Sequence, residues 1–150
     1  MPILGFFSLF KRAEPQTVYL QGLGDFTREN TGYWCGKVHF APLGRQLDLA
    51  IKSPDETPGM GAVNFFRQIE GRWAEIWAAM RSTLFAKVDD FADGTTPDQL
   101  FDSLHVDALE IWSLDPGKEN WEISCTTPLD QHVFGIEMLA WEEQGFRMDG

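Results

Sequence analysis

"AVNFFRQIEGRWAEIWAAM", residues 62–80, sets four large aromatics, Phe65, Phe66, Trp73 and Trp77, into thirteen positions. Apolar residues fall at 62, 66, 69, 73, 76, 77, 80 and 84, mostly in steps of three and four. That spacing draws one stripe along an α-helix and predicts a helix running to about Val88. At ~1.5 Å per residue it spans roughly 40 Å. Asn64, Gln68, Glu75 and Ser82 occupy the opposite side, where water is expected. Gly71 lies on that outer side and marks the place for a bend, since Gly costs ~1 kcal/mol against Ala inside a helix.

A helix that is apolar on one side needs a cover, and the segment before it supplies one. In "YWCGKVHFAPLGRQLDLAIKS", residues 33–53, Trp34, Val38 and Phe40 alternate with Cys35, Lys37 and His39. After the Pro/Gly turn, Leu47, Leu49 and Ile51 alternate with Gln46, Asp48 and Lys52. Period two on both sides of a turn reads as a β-hairpin with one buried and one wet face. With 42–45 as the loop, Phe40 faces Leu47, Val38 faces Leu49, and His39 faces Asp48 as an exposed cross-strand partner. Sheet and helix cover each other, so the aromatic stripe is core. At its two edges, Phe65 and Phe85 are the candidates for an exposed contact patch, together with the acidic pair Asp89-Asp90.

The rest of the chain extends this plan. "TVYLQGLGDF", residues 17–26, is a strand and a turn. Thr96-Pro97-Asp98-Gln99 is a helix start, with a Thr cap, Pro at the first position and Gln three residues on. The second helix covers about 97–104, with Leu100, Phe101 and Leu104 inward and His105 closing it at the negative end of the dipole. "DALEIWSL", "WEISCTTP" and "HVFGIEMLAW" are strands, and "GFRMDG" adds a last edge. If the last pair closes around 128–131, Cys125 faces Phe134 and Thr127 faces His132. Trp121, Ile123, Phe134, Ile136 and Met138 then share the buried face. The expected fold class is α+β: an antiparallel sheet of about six strands, one face covered by the long amphipathic helix and the short second helix.

With 150 residues and 43% hydrophobic content, the chain makes one domain, over residues 16–150. Residues 1–15 stand apart as an N-terminal amphipathic segment, with Ile3, Phe6, Phe7 and Phe10 on one side of residues 3–12, then Lys11-Arg12 and Pro15. Such a segment docks on its own domain, on a second copy, or on a membrane surface. Its basic pair follows the apolar stretch, the reverse of a secretory signal, and no run reaches the ~20 apolar residues a spanning helix needs. Two cysteines make no disulfide framework, and the expected location is the cytoplasm. Twelve basic against twenty-three acidic residues leave a net charge of −11. Such a surface repels nucleic acid and anionic lipid and suits a basic protein partner or a cation.

No phosphate loop, dinucleotide glycine pattern, GxSxG elbow or HExxH occurs, so no cofactor is expected. Three His and two Cys on separate elements lack the close ligand pairs of a zinc site, and no acidic run has calcium-loop spacing. The group nearest to a catalytic constellation is Cys125 with Asp130 and His132. The hairpin register sends Cys125 into the apolar face, where a thiol is inert.

The layout resembles a group of small bacterial α+β domains of unknown function, some of them immunity-protein-like. The likeness rests on "YWCGKVHF" and "LDLAIKS", the "FFRQIEGRWAEIW" helix, the capped second helix, and "ALEIWSLD", "WEISC", "HVFGIEMLAW" and "GFRMDG" in that order, over residues 17–150. The chain departs from the group in separating His132 from Gly135. The resemblance implies no catalytic residues. The function it and the charge point to is a non-enzymatic protein-binding domain, an acidic immunity-type or regulatory protein. The alternative is a small hydrolase or transferase using His132 with a carboxylate from Asp130 or Glu137.

Overall fold

The structure, a computed structural model, describes residues 14–29, 32–85 and 94–149, with the backbone alone for Leu84, Phe85 and Asp130. The strands are β1 (Thr17–Leu20), β2 (Gly24–Arg28), β3 (Tyr33–Phe40), β4 (Arg45–Lys52), β5 (His105–Ser113), β6 (Asn120–Thr127), β7 (Asp130–Leu139) and β8 (Glu142–Asp149). Between β4 and β5 come the helices α1 (Met60–Phe85) and α2 (Pro97–Ser103). All eight strands join one sheet, in chain order from β1 to β8. The α+β class is as expected, but the sheet has eight strands where about six were expected. "TVYLQGLGDF" divides into β1 and the start of β2, and the C-terminal tail pairs with β7 as a full strand. One seam also departs from the antiparallel plan. β4 and β5 run parallel, because α1 and α2 lie between them and carry the chain back to the end from which β4 started.

The α1 stripe is core. Phe66, Ile69, Trp73, Ile76 and Met80 are buried in one cluster with Leu49, Ile51, Leu109, Ile111, Trp121 and Ile123 of the sheet. Phe40 meets Trp73 edge to face, with ring centroids 4.9 Å apart. Trp77 stacks on Trp73 at 5.4 Å and reaches Phe101 of α2 at 4.7 Å, tying the second helix to the first. Such ring pairs contribute about 0.5–1.5 kcal/mol each beyond their buried area. Helix α2 begins as its sequence predicts, with the Thr96 hydroxyl accepting from the Gln99 N–H and the Gln99 side chain accepting from the Thr96 N–H.

Four local expectations are corrected. The β3–β4 turn closes at Phe40 and Arg45, because Ala41–Leu43 form a 3-10 turn and Gly44 takes a left-handed φ of 62°. Val38 therefore faces Leu47, Lys37 faces Asp48 and His39 faces Gln46. This slip of two residues leaves every side chain on its intended face. A bulge between Cys125 and Thr127 sets Thr127 opposite Asp130 where His132 was expected, while Cys125 faces Phe134 as expected. His105 opens β5, and its Nδ1 lies 2.7 Å from the Asp107 carboxylate rather than over a helix end. Phe65, expected at an exposed edge, is 3% exposed. It stacks on Trp141 at 5.3 Å and meets Trp121 edge to face.

That Phe65 contact depends on the turn between β7 and β8. Ala140 has a φ of 49°, a backbone conformation few non-glycine residues adopt. Its N–H donates to the Glu119 carbonyl at 2.7 Å, and its own carbonyl accepts from the Trp121 indole N–H at 2.8 Å. The two bonds hold a tight turn that swings Trp141 back over the helix side of the sheet.

Candidate functional site: the open face of the sheet

Strand alternation that sends Leu49, Leu109, Ile123 and Ile136 toward α1 sends their neighbours to the other face. Two rows cross that face from β3 to β8. One reads Cys35, Ala50, Glu110, Glu122, Glu137, Gly145, each residue directly opposite the next. The adjacent row reads Lys37, Asp48, Ala108, Ser124, Gly135, Arg147. Small residues in the middle and charged ones around them form a groove of about 600 Å³. It is lined by Cys35, Lys37, Asp48, Ala50, Ala108, Glu110, Glu122, Ser124 and Arg147 among others.

Glu110, Glu122 and Glu137 thus stand side by side on three neighbouring strands. Like charges directly opposite each other in a sheet are destabilising, on the scale of 0.2–1 kcal/mol per pair, roughly. The compensation is partial. The Arg147 guanidinium donates to Glu122 Oε1 at 2.7 Å, and the Trp112 indole N–H donates to Glu110 Oε2 at 3.0 Å. Glu122 is only 1% exposed, and its Oε2 has no hydrogen-bond partner among the described residues. An unsatisfied buried acceptor of this kind costs about 1–3 kcal/mol, more when charged.

Burial pushes the Glu122 carboxyl above the ordinary carboxylate range, against the opposing pull of Arg147, and Glu110 and Glu137 push it further. The effect of the acidic row reaches β3. Burial and then Glu110 and Glu122 raise the Tyr33 phenol, and burial, then Glu29, then Glu110 raise the Cys35 thiol. Cys35 is therefore protonated and a poor nucleophile.

Gly135 makes the ion pair sterically possible. A Cβ at that position would fall 2.8 Å from Arg147 Nε and 2.9 Å from Glu122 Cδ, closer than side-chain atoms pack. A side chain at this position would force the ends of Arg147 and Glu122 to shift, so the glycine gives the arginine of β8 room to lie across β7 and reach a carboxylate on β6.

The residues singled out in the sequence are placed as follows. Cys125 is fully buried, and burial raises its thiol to about 12. His132 and Glu137 lie five residues apart on β7, roughly 16 Å along an extended strand, so the strand does not bring them together. Glu137 instead belongs to the acidic row. The side chains of Asp130 and Phe85, the pair Asp89-Asp90 and residues 3–12 lie outside the described residues. Among the described residues no group of three or more His, Cys, Asp or Glu could hold a metal ion, and no helix is long and apolar enough to cross a membrane. A second cleft of about 500 Å³ lies where residues 52–59 meet the start of α1. Glu122 does not border it.

Sequence reasoning missed Glu110, Glu122 and Arg147. Each Glu sits between large apolar residues, in "LEI", "WEI" and "IEM", the pattern of a strand with one buried face. Pairing Cys125 with Phe134 already places Glu122 opposite Glu137, so two of the three glutamates were within reach of the strand register. Comparison of the chain with protein-family models, curated proteins and solved structures finds no match.

Proposed function

We propose that this domain is a non-enzymatic binding module that holds a basic protein against the open face of its sheet, as an acidic immunity-type or regulatory protein of the cytoplasm does. One observation carries the reading: Glu110, Glu122 and Glu137 face each other across three strands, and among the described residues the ion pair made to them is that of Arg147 with Glu122. A sheet gains nothing for its own stability from such a row, and a sequence that breaks a local rule tends to do so at a functional site. A basic partner relieves the repulsion only in the complex, so the row favours the bound state over the free one. The chain's net charge of −11 adds long-range steering of a basic partner toward the domain.

The test uses tagged full-length protein and a Glu110→Gln/Glu122→Gln/Glu137→Gln variant as paired baits in lysate from the source cell. The expected result is one basic protein retained stoichiometrically by the wild type, lost from the variant, and released from the wild type as salt rises. Retention of the same protein by both baits, or of none by either, overturns the reading.

A further inference from the structure

We propose that the groove seats the guanidinium of one arginine side chain, presented by the basic partner, on Glu122 beside Glu110. The inference rests on the reading of this face as the site for a basic protein, and it names the contact at its centre. Glu122 Oε1 is engaged by Arg147 at 2.7 Å, whereas Oε2 is buried without a hydrogen-bond partner among the described residues, on a residue that lines the groove. Glu110 and Glu137 flank it, one strand to either side, at the ~4.8 Å spacing of a sheet. A cation arriving over Glu122 in the groove therefore meets Glu110 beside it, with Asp48 also in the lining and Lys37 and Arg147 at its edges, while Glu137 stands on the next strand outside the lining.

Chemistry selects a guanidinium over an ammonium. Its planar fork offers parallel N–H donors that fit carboxylate oxygens, and it is the more weakly hydrated cation. That matters where the acceptor is withdrawn from water, as Glu122 is at 1% exposure. Gly135 leaves room for the Glu122–Arg147 pair that borders the seat, since a side chain there would meet both ends of that pair. Burial holds the Glu122 carboxyl above the usual range, with Arg147 of β8 opposing and Glu110 of β5 and Glu137 of β7 adding to the rise. An arginine on Oε2 lowers it, so binding strengthens as pH rises through the Glu122 transition and releases a proton below it.

The test titrates full-length, isotopically labelled protein with N-acetyl-arginine amide, its neutral isostere N-acetyl-citrulline amide, and N-acetyl-lysine amide, reading backbone amide shifts. The expected result is saturable movement at Ser124 and Gly135 with the arginine probe, none with citrulline, and weaker binding with lysine. Glu122→Gln, which keeps the shape of the side chain, weakens the arginine probe about tenfold or more, the size of one lost charge-assisted bond. Glu110→Gln weakens it in the same direction, and Arg147→Gln leaves it equal or tighter. Equal binding of citrulline or lysine, indifference to Glu122→Gln, or loss of binding in Arg147→Gln overturns the proposal. A partner captured through the acidic face with no arginine-probe shift overturns this seat and leaves the reading of the face standing. Absence of both overturns the two together.

Discussion

The two faces of this sheet are built from the same strands and obey opposite rules. On the helix side, Leu49, Leu109, Ile123 and Ile136 meet an aromatic stripe, and every local choice favours burial. On the open side, the residues between them put three glutamates in line and leave Glu122 Oε2 buried without a hydrogen-bond partner among the described residues. One face is arranged to hold the protein together. The other holds an arrangement the free protein would be better without, which is the usual signature of a surface kept for something else.

Mutation can sharpen or break this contrast, and the largest effect belongs to the covered face. Trp73→Ala is expected to destabilise by about 3–5 kcal/mol in denaturant unfolding, the range for large core aromatics. A loss under ~1 kcal/mol would remove α1 from the core. Next comes Gly135→Ala on the open face, expected to cost about 1–3 kcal/mol by driving Arg147 off Glu122. A neutral outcome would show the pair is not held there.

Opposite in sign, Glu137→Gln is expected to stabilise the free domain by about 0.2–1 kcal/mol through loss of a like-charge neighbour, while weakening the proposed binding of a basic partner. Destabilisation by this change would erase the distinction between the faces. The finest test is pH. Because the Glu122 carboxyl is raised in the folded state, folding takes up a proton between the ordinary carboxylate range and the Glu122 transition. Its contribution to stability is present below that window and is lost as pH rises through it. Glu122→Gln should flatten this segment of the stability profile, measured as unfolding midpoint against pH, and an unchanged slope would reassign it to other groups.

Much of the covered face was legible in the sequence, because burial imposes a period. The α1 stripe, the buried side of the β3–β4 hairpin and the Thr96 capping box all follow from spacing alone. Phe65 was misplaced because its cover, Trp141, comes from a two-residue turn far along the chain, and helical period carries no information about such a neighbour. The open face was harder to read. Its glutamates repeat at no period within any one strand, and they become a row only once β5, β6 and β7 are in register. The β6–β7 hairpin supplied Glu122 and Glu137, whereas Glu110 needed the β5–β6 register with its two bulges, and Arg147 needed β8 as a paired strand.

Strand order that copies chain order also shapes how the protein folds. Six of the seven seams join strands through connections of two to six residues, so two meanders, β1–β4 and β5–β8, can each zip up locally. The β4–β5 seam alone must close across residues 53–104, with both helices in the interval. Loop closure makes that the slow, long-range step. Leu49→Ala, at the centre of that seam, is expected to slow folding measured by stopped flow. Ile136→Ala, inside the second meander, should act mainly by speeding unfolding.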